Sequence, residues 1–353
     1  MKLHPKVHGS SQSQKSTIST VDCASLDSGI ALINSYISKK VNLSHCKAII
    51  ISEEIAYDGL SEYVYTLVNN IEVRPDCNII ISRCNAEDYL NNSTPTLESV
   101  SARYYEFILN SSEYTGYTEN ISLADFYKDL LSTTTDPNAI LGGINEKATH
   151  NDYSKLPLAD SEAAYKAGET PIQTNTGIEN IGIAVFKGDK LVGELSGMEC
   201  LCHLILVDEF ETATISIPDP TDSSSIINLL IHAKKDPKIS VKLINGTPFI
   251  ECNICLSADI LSLDMNSDYS TQEALDSVQS YANSYLEKAI SAYLYKMAKE
   301  YHADIDDFGK YVIKNYKTWE DWDNSDWLSN FENSFFSVHV DTKVVNGQLY
   351  NKI

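Results

Sequence analysis

Positive charge is scarce in this sequence. Its 353 residues hold 27 lysines and arginines against 49 aspartates and glutamates, a formal net charge of −22. Such a surface repels nucleic-acid phosphates and anionic lipid headgroups, so neither is expected as a direct partner. Long apolar runs are missing too, and nothing approaches the ~20 consecutive apolar residues that cross a bilayer. The opening, Met1 to Thr17, is polar and rich in Ser, Gln and Lys, without the apolar stretch of a secretory signal. There is no nucleophile elbow, P-loop, dinucleotide fingerprint or His-rich metal motif, and the eight histidines stand singly. These absences weigh against an enzyme and leave no expected cofactor.

The eight cysteines, at 23, 46, 77, 84, 200, 202, 252 and 255, are poorly placed for metal. Cys252 and Cys255 lie three apart in a strand-like run, where they face opposite ways and cannot share an ion. Cys200 and Cys202 sit in the apolar segment Cys200-Leu201-Cys202-His203-Leu204 and read as small buried hydrophobes. No metal is expected. Three other stretches imitate chemistry. Asp307-Phe308-Gly309 matches the kinase magnesium tripeptide but has no companion kinase motifs, so it reads as a packed helix position. Asp264 to Asp268 begins like a calcium loop, which then fails at Tyr269 and Leu275. Glu53 and Glu54 follow a strand, where acids of α/β folds often act, but they also complement a helix N-terminus.

Length calls for more than one module. After a polar, disordered tail over residues 1–17, apolar spacing predicts a helix over Ser28 to Ile37. A strand over Lys47–Ser52, a helix reaching Val68 and a strand over Asn78–Ser82 form a βαβ unit with parallel strands. Helices are expected over Leu97–Leu109 and Leu123–Leu131, the second with a Ser122/Asp125 capping box. An N-terminal α/β domain thus covers 18–141, and the polar stretch 142–176 reads as a linker or surface excursion. The C-terminal domain, 177–351, opens on a hairpin turning at Gly188-Asp189. A short helix over Met198–Val207 follows, then strands over Thr212–Ile217, Ser225–Lys234 and Ile239–Ile244. Asn245-Gly246 predicts a type I′ turn into a returning strand, Phe249–Leu256. A long amphipathic helix from Thr271 to about Tyr301, capped by Ser270 and Glu273, is followed by a helix over Asp306–Tyr316. The last strand, Phe336–Val344, alternates so that one face packs on the long helix. The fold class is therefore mixed α/β and α+β, multi-domain: a βαβ-containing N-terminal region, then a C-terminal antiparallel sheet packed against a long amphipathic helix.

The hairpin also carries a resemblance. Gly182, Ala184, Val185, Phe186, Lys187, Lys190, Leu191, Val192 and Gly193 stand in the order that opens the C-terminal half of the Ger(x)C family, the C subunits of GerA-type germinant receptors of endospore formers. Further stretches resemble the same family in the same order. The segment Leu43 to Ala56 carries His45 and Glu53, with Ser52 where glycine is usual; Thr135 to Leu141 resembles the approach to the inter-domain region. Ala303 to Gly309 carries Phe308 and Gly309, and Trp327 to Val344 is similar to the family's closing segment.

The resemblance implies a non-enzymatic protein on the outer face of the inner spore membrane, held by an N-terminal lipid. Its partners would be the A and B membrane subunits of the receptor, met through protein–protein contacts. Family members start with a signal peptide and a lipobox cysteine; this chain shows neither, and Cys23, after Thr20-Val21-Asp22, is no lipidation site, so an N-terminally short form is expected. The alternative reading is a soluble module that binds a small ligand in the cleft between its halves.

Overall fold

A computed structural model describes residues 2–3, 6–7, 17–38, 40–93, 105, 111–145, 164–172, 177–220, 225–262, 269 and 271–345. The expected tail contributes two short strands: β1 (Lys2–Leu3) pairs with β4 (Val21–Asp22), and β2 (Lys6–Val7) with β3 (Thr17–Ile18), both antiparallel. Backbone pairing needs no apolar run, which is why a polar composition concealed it.

The βαβ unit is present. Strands β5 (Ala48–Ser52) and β6 (Asn78–Ser82) pair in parallel, and the connection forms two helices, Glu53–Asp58 and Ser61–Asn69. Gly59 divides them with φ of 124°, which no L residue adopts without strain. The helix Leu123–Leu130 has the expected Ser122/Asp125 capping box. The helix expected over Leu97–Leu109 lies outside the described residues, apart from Tyr105.

A larger difference concerns the expected linker. Its first residues belong to β7 (Asn138–Ile144), the central strand of a five-stranded sheet ordered β5-β6-β7-β8-β9. β8 (Ile178–Lys187) runs antiparallel to β7, and β9 (Lys190–Leu195) returns antiparallel to β8. The hairpin expected to open the C-terminal domain therefore completes the N-terminal sheet. Its two faces explain the ambiguity. Ile183, Val185 and Leu195 enter the C-terminal core, whereas Ala184, Phe186 and Leu191 enter the N-terminal one. Period-2 alternation gives a strand two buried faces here, one per core.

The second sheet is ordered β10-β11-β12-β13. β10 (Thr212–Pro218), β11 (Ile226–Ile244) and β12 (Thr247–Ser262) are antiparallel, and the β11–β12 turn has Asn245 at φ 52° and Gly246 at φ 83°, as a type I′ turn requires. The two strands expected over 225–244 are one, interrupted by register shifts around Lys235–Lys238, where Pro237 is accommodated. β13 (Phe335–Val345) lies parallel to β12, so the sheet is mixed rather than wholly antiparallel. The intervening long helix, Gln272–Lys296, is the crossover that makes a parallel return possible.

That helix buries Val278, Ala282, Leu286, Ile290, Tyr293 and Leu294 on one stripe. Its N-cap is Thr271, whose side chain accepts from the Ala274 amide; Ser270 lies outside the described residues. Helix side chains also close the outer edge of β13: Glu287 accepts the Val340 N–H at 3.0 Å and Asn283 the Thr342 N–H at 2.8 Å. An edge so satisfied cannot template further strand pairing there.

Candidate functional site

Two groups of buried polar residues hold the halves together. The first is built on Asp136 and Asp304. Asp136 precedes β7 at Pro137; its amide donates to the Asp304 carbonyl at 2.7 Å, and the Thr135 hydroxyl reaches the same carbonyl at 2.9 Å. The Asp136 carboxylate accepts the Gly188 amide from the β8–β9 turn at 2.9 Å and the Asp304 amide at 3.2 Å. Asp304, fully buried, accepts the amides of Phe308 and Gly309 at 3.2 Å each and the Trp327 indole N–H at 2.8 Å. Burial pushes the Asp304 carboxyl well above the usual carboxylate range, with Asp306 adding to it and the Trp327 and Phe308 donors opposing.

This wiring explains the chain around residue 305. Asp304 takes the amides that would begin a longer helix, and Asp307 turns at φ 55°, so the helix expected over 306–316 shrinks to Gly309–Val312 and a 3₁₀ turn, Ile313–Asn315. Phe308 is a packed residue, stacked on Phe331 with centroids 6.1 Å apart. Gly309 is needed because a Cβ there would stand 2.4 Å from the Thr134 carbonyl.

The second group is Glu119, His203, Tyr293 and Asp306. The helix Gly197–Val207 is apolar almost throughout, which buries His203 with it. Its Nδ1 lies 2.8 Å from Asp306 and its Nε2 3.3 Å from Glu119. Tyr293 donates to Asp306 at 3.0 Å, and the Asn138 amide to Glu119 at 2.8 Å. Burial by itself opposes a charged imidazole, but Glu119 and Asp306 outweigh it and raise His203 to about 10. The ring is thus an imidazolium donating from both nitrogens to two carboxylates. A Glu–His–Asp set looks catalytic, yet His203 is 1% exposed, Asp306 1% and Glu119 5%, so no substrate reaches it. Its chemistry is cohesion between residues from both halves.

The family-motif residues gather around these groups except for His45, Glu53 and Lys190. Ala184, Val185, Phe186 and Leu191 are core, and Val192 packs against it. Gly182, at φ 89°, would drive a Cβ to 2.0 Å from the Leu195 carbonyl, and Gly193 would meet the Tyr301 ring at 2.2 Å. Lys187 donates to the carbonyls of His302 and Leu328, while Lys190 stays exposed. Glu53 sits apart, at the carboxyl end of β5, where burial and then the charge of Glu194 raise its carboxyl and Arg83 opposes them. His45 is exposed at the other end of β5. Glu54 opens the same helix as Glu53. Asp136, Glu119, His203 and Tyr293 escaped the sequence reading as site residues; the one signal was a histidine inside an uninterrupted apolar helix.

These features define a class: an α/β and α+β protein built on two larger sheets, whose halves share a hairpin and are locked by buried polar and charged groups. Two family models match in succession, the spore germination protein N-terminal domain over residues 2–144 and the spore germination B3/GerAC-like C-terminal domain over 181–347. The chain belongs to this spore germination family, the Ger(x)C proteins. It is 22% identical over 313 residues to the putative spore germination protein YfkR of Bacillus subtilis (strain 168), covering 86% of this chain and 71% of that protein. It is 20% identical over 307 residues to the spore germination protein GerQC of Bacillus cereus, covering 87% and 76%. The crystal structure of the GerBC protein has the same fold, with a TM-score of 0.57 at 17% identity over 95% of this chain and 87% of that one.

Proposed function

We propose that this chain is the C subunit of a spore nutrient germinant receptor and acts without catalysis, through protein contacts with the A and B membrane subunits. The observation that carries this reading is where the family-motif residues lie. Most of them stand at the hairpin and the Asp136–Asp304 seam, where they maintain one relative placement of two halves, as a protein that works through its surfaces needs. No helix of the described residues is long and apolar enough to cross a membrane, so attachment at the outer face of the inner spore membrane would come from the membrane subunits or from a lipid anchor.

Deleting the gene in its own host tests the proposal. Spores are expected to lose the response to one nutrient class while still germinating with triggers that bypass nutrient receptors. A tagged chain is expected to bring down multi-pass subunits from detergent-solubilised spore membranes. Unchanged nutrient responses across amino acids, sugars and nucleosides would refute it.

A further inference from the structure

Cys46 and Cys77 form a pair that the family reading leaves unused. Cys46 ends the 3₁₀ turn before β5, and Cys77 immediately precedes β6. Their sulfurs are 3.5 Å apart, with neither in a disulfide. Both backbones are already held. The Cys46 amide donates to Leu43 at 2.9 Å, the Cys77 amide to Arg74 at 3.1 Å, and the Cys77 carbonyl accepts from Leu123 at 2.7 Å. The parallel register Ala48↔Asn78 continues outward, since the Asn78 amide reaches the Lys47 carbonyl at 3.0 Å. Cys46 itself stands outside β5, in the extended backbone (φ −62°, ψ 127°) that leaves the 3₁₀ turn, so strand alternation does not fix its side chain, which meets that of Cys77. At 3.5 Å the sulfurs stand about 1.5 Å from the ~2.05 Å length of a disulfide bond.

The pair is also asymmetric in the way that exchange requires. Cys46 is partly exposed, whereas Cys77 is fully buried. The S–H of Cys77 donates to the Cys46 sulfur and holds the Cys46 thiol below its ordinary range, while that bond and burial hold the Cys77 thiol above it. Cys200 and Cys202 differ on each point: both are buried, and burial raises both thiols.

We propose that Cys46 and Cys77 are a thiol–disulfide exchange site whose substrate is an external disulfide, either a small molecule or an oxidoreductase. The Cys46 thiolate attacks one sulfur of the donor, forming a mixed disulfide and expelling the first donor thiolate, which takes up the proton that Cys46 lost. Cys77 then attacks the Cys46 sulfur; its proton leaves with the second donor sulfur as a thiol. The donor is reduced by two electrons to two thiols, and the chain is oxidised by two to the Cys46–Cys77 disulfide. The bond closes a span of 31 positions containing both crossover helices, so it clamps the first parallel strand pair.

The test uses the reduced full-length chain with oxidised glutathione over a range of glutathione ratios, quenched with acid, alkylated and mapped by mass spectrometry. The expected product has lost two hydrogen masses, joins the Cys46 and Cys77 peptides and melts several degrees higher. Cys46→Ser is expected to leave Cys77 unmodified, and Cys77→Ser to retain glutathione on Cys46. The wild-type peptide map decides the matter even if a variant folds poorly. A glutathione adduct that persists on wild-type Cys46, linkage through other cysteines, or no reaction overturns the proposal.

Discussion

Replacing His203 by glutamine tests the buried ion cluster directly. Glutamine keeps much of the volume and can still donate one hydrogen bond, but it removes the positive charge between Glu119 and Asp306. Breaking a buried ion network by removing one partner costs on the order of 3–5 kcal/mol, because the carboxylates left behind are buried and uncompensated. The pH dependence is more specific than the loss itself. The folded pKa of about 10 lies above the unfolded value of 6.5. The group's contribution is therefore complete below pH 6.5 and disappears as pH rises through 10, with a total on the order of 5 kcal/mol. Urea denaturation of both proteins from pH 6 to 10.5 reads the difference. Groups remote from the cluster contribute equally to both proteins and cancel in the difference. The gap between wild type and H203Q is expected to be widest at pH 6–7 and to narrow steadily toward pH 10. A gap that stays constant across that range would refute a charged His203.

Two further substitutions probe the other seam. Gly309→Ala places a Cβ 2.4 Å from the Thr134 carbonyl and is expected to cost about 1–3 kcal/mol, read as a lower urea midpoint and faster limited proteolysis between the halves. Trp327→Phe keeps a ring beside Phe331 but deletes the indole donor to buried Asp304, an expected loss of about 1–3 kcal/mol. Tryptophan fluorescence, separated from Trp319 and Trp322 by single replacements, is expected to report the same unfolding midpoint as circular dichroism; a Trp327→Phe midpoint equal to wild type would contradict the assigned hydrogen bond.

Local elements were legible in the sequence because their causes are local. The Asn245-Gly246 turn requires two positive φ values that these residues supply, the Ser122/Asp125 box closes within one helical turn, and the stripe of the long helix is a 3.6-residue repeat. Alternation along Phe336–Val344 likewise announced a half-buried strand. The family resemblance came from the order of short stretches, which survives without any knowledge of what they touch.

Alternation says that a strand has two faces, but not which core each face meets. Only the tertiary structure decided that Ile183 and Val185 go to one core and Ala184 and Phe186 to the other, so that the apparent start of a second domain completes the first sheet. The same holds for Glu119, His203 and Asp306, and for Cys46 and Cys77. Each pairing joins positions tens of residues apart, and its energy depends on excluded water and on distances that no sequence window contains. The sequence determined the helices, strands and turns whose causes lie within a few residues; the shared burial of distant charged groups, and with it the reason the halves stay together, belongs to the fold.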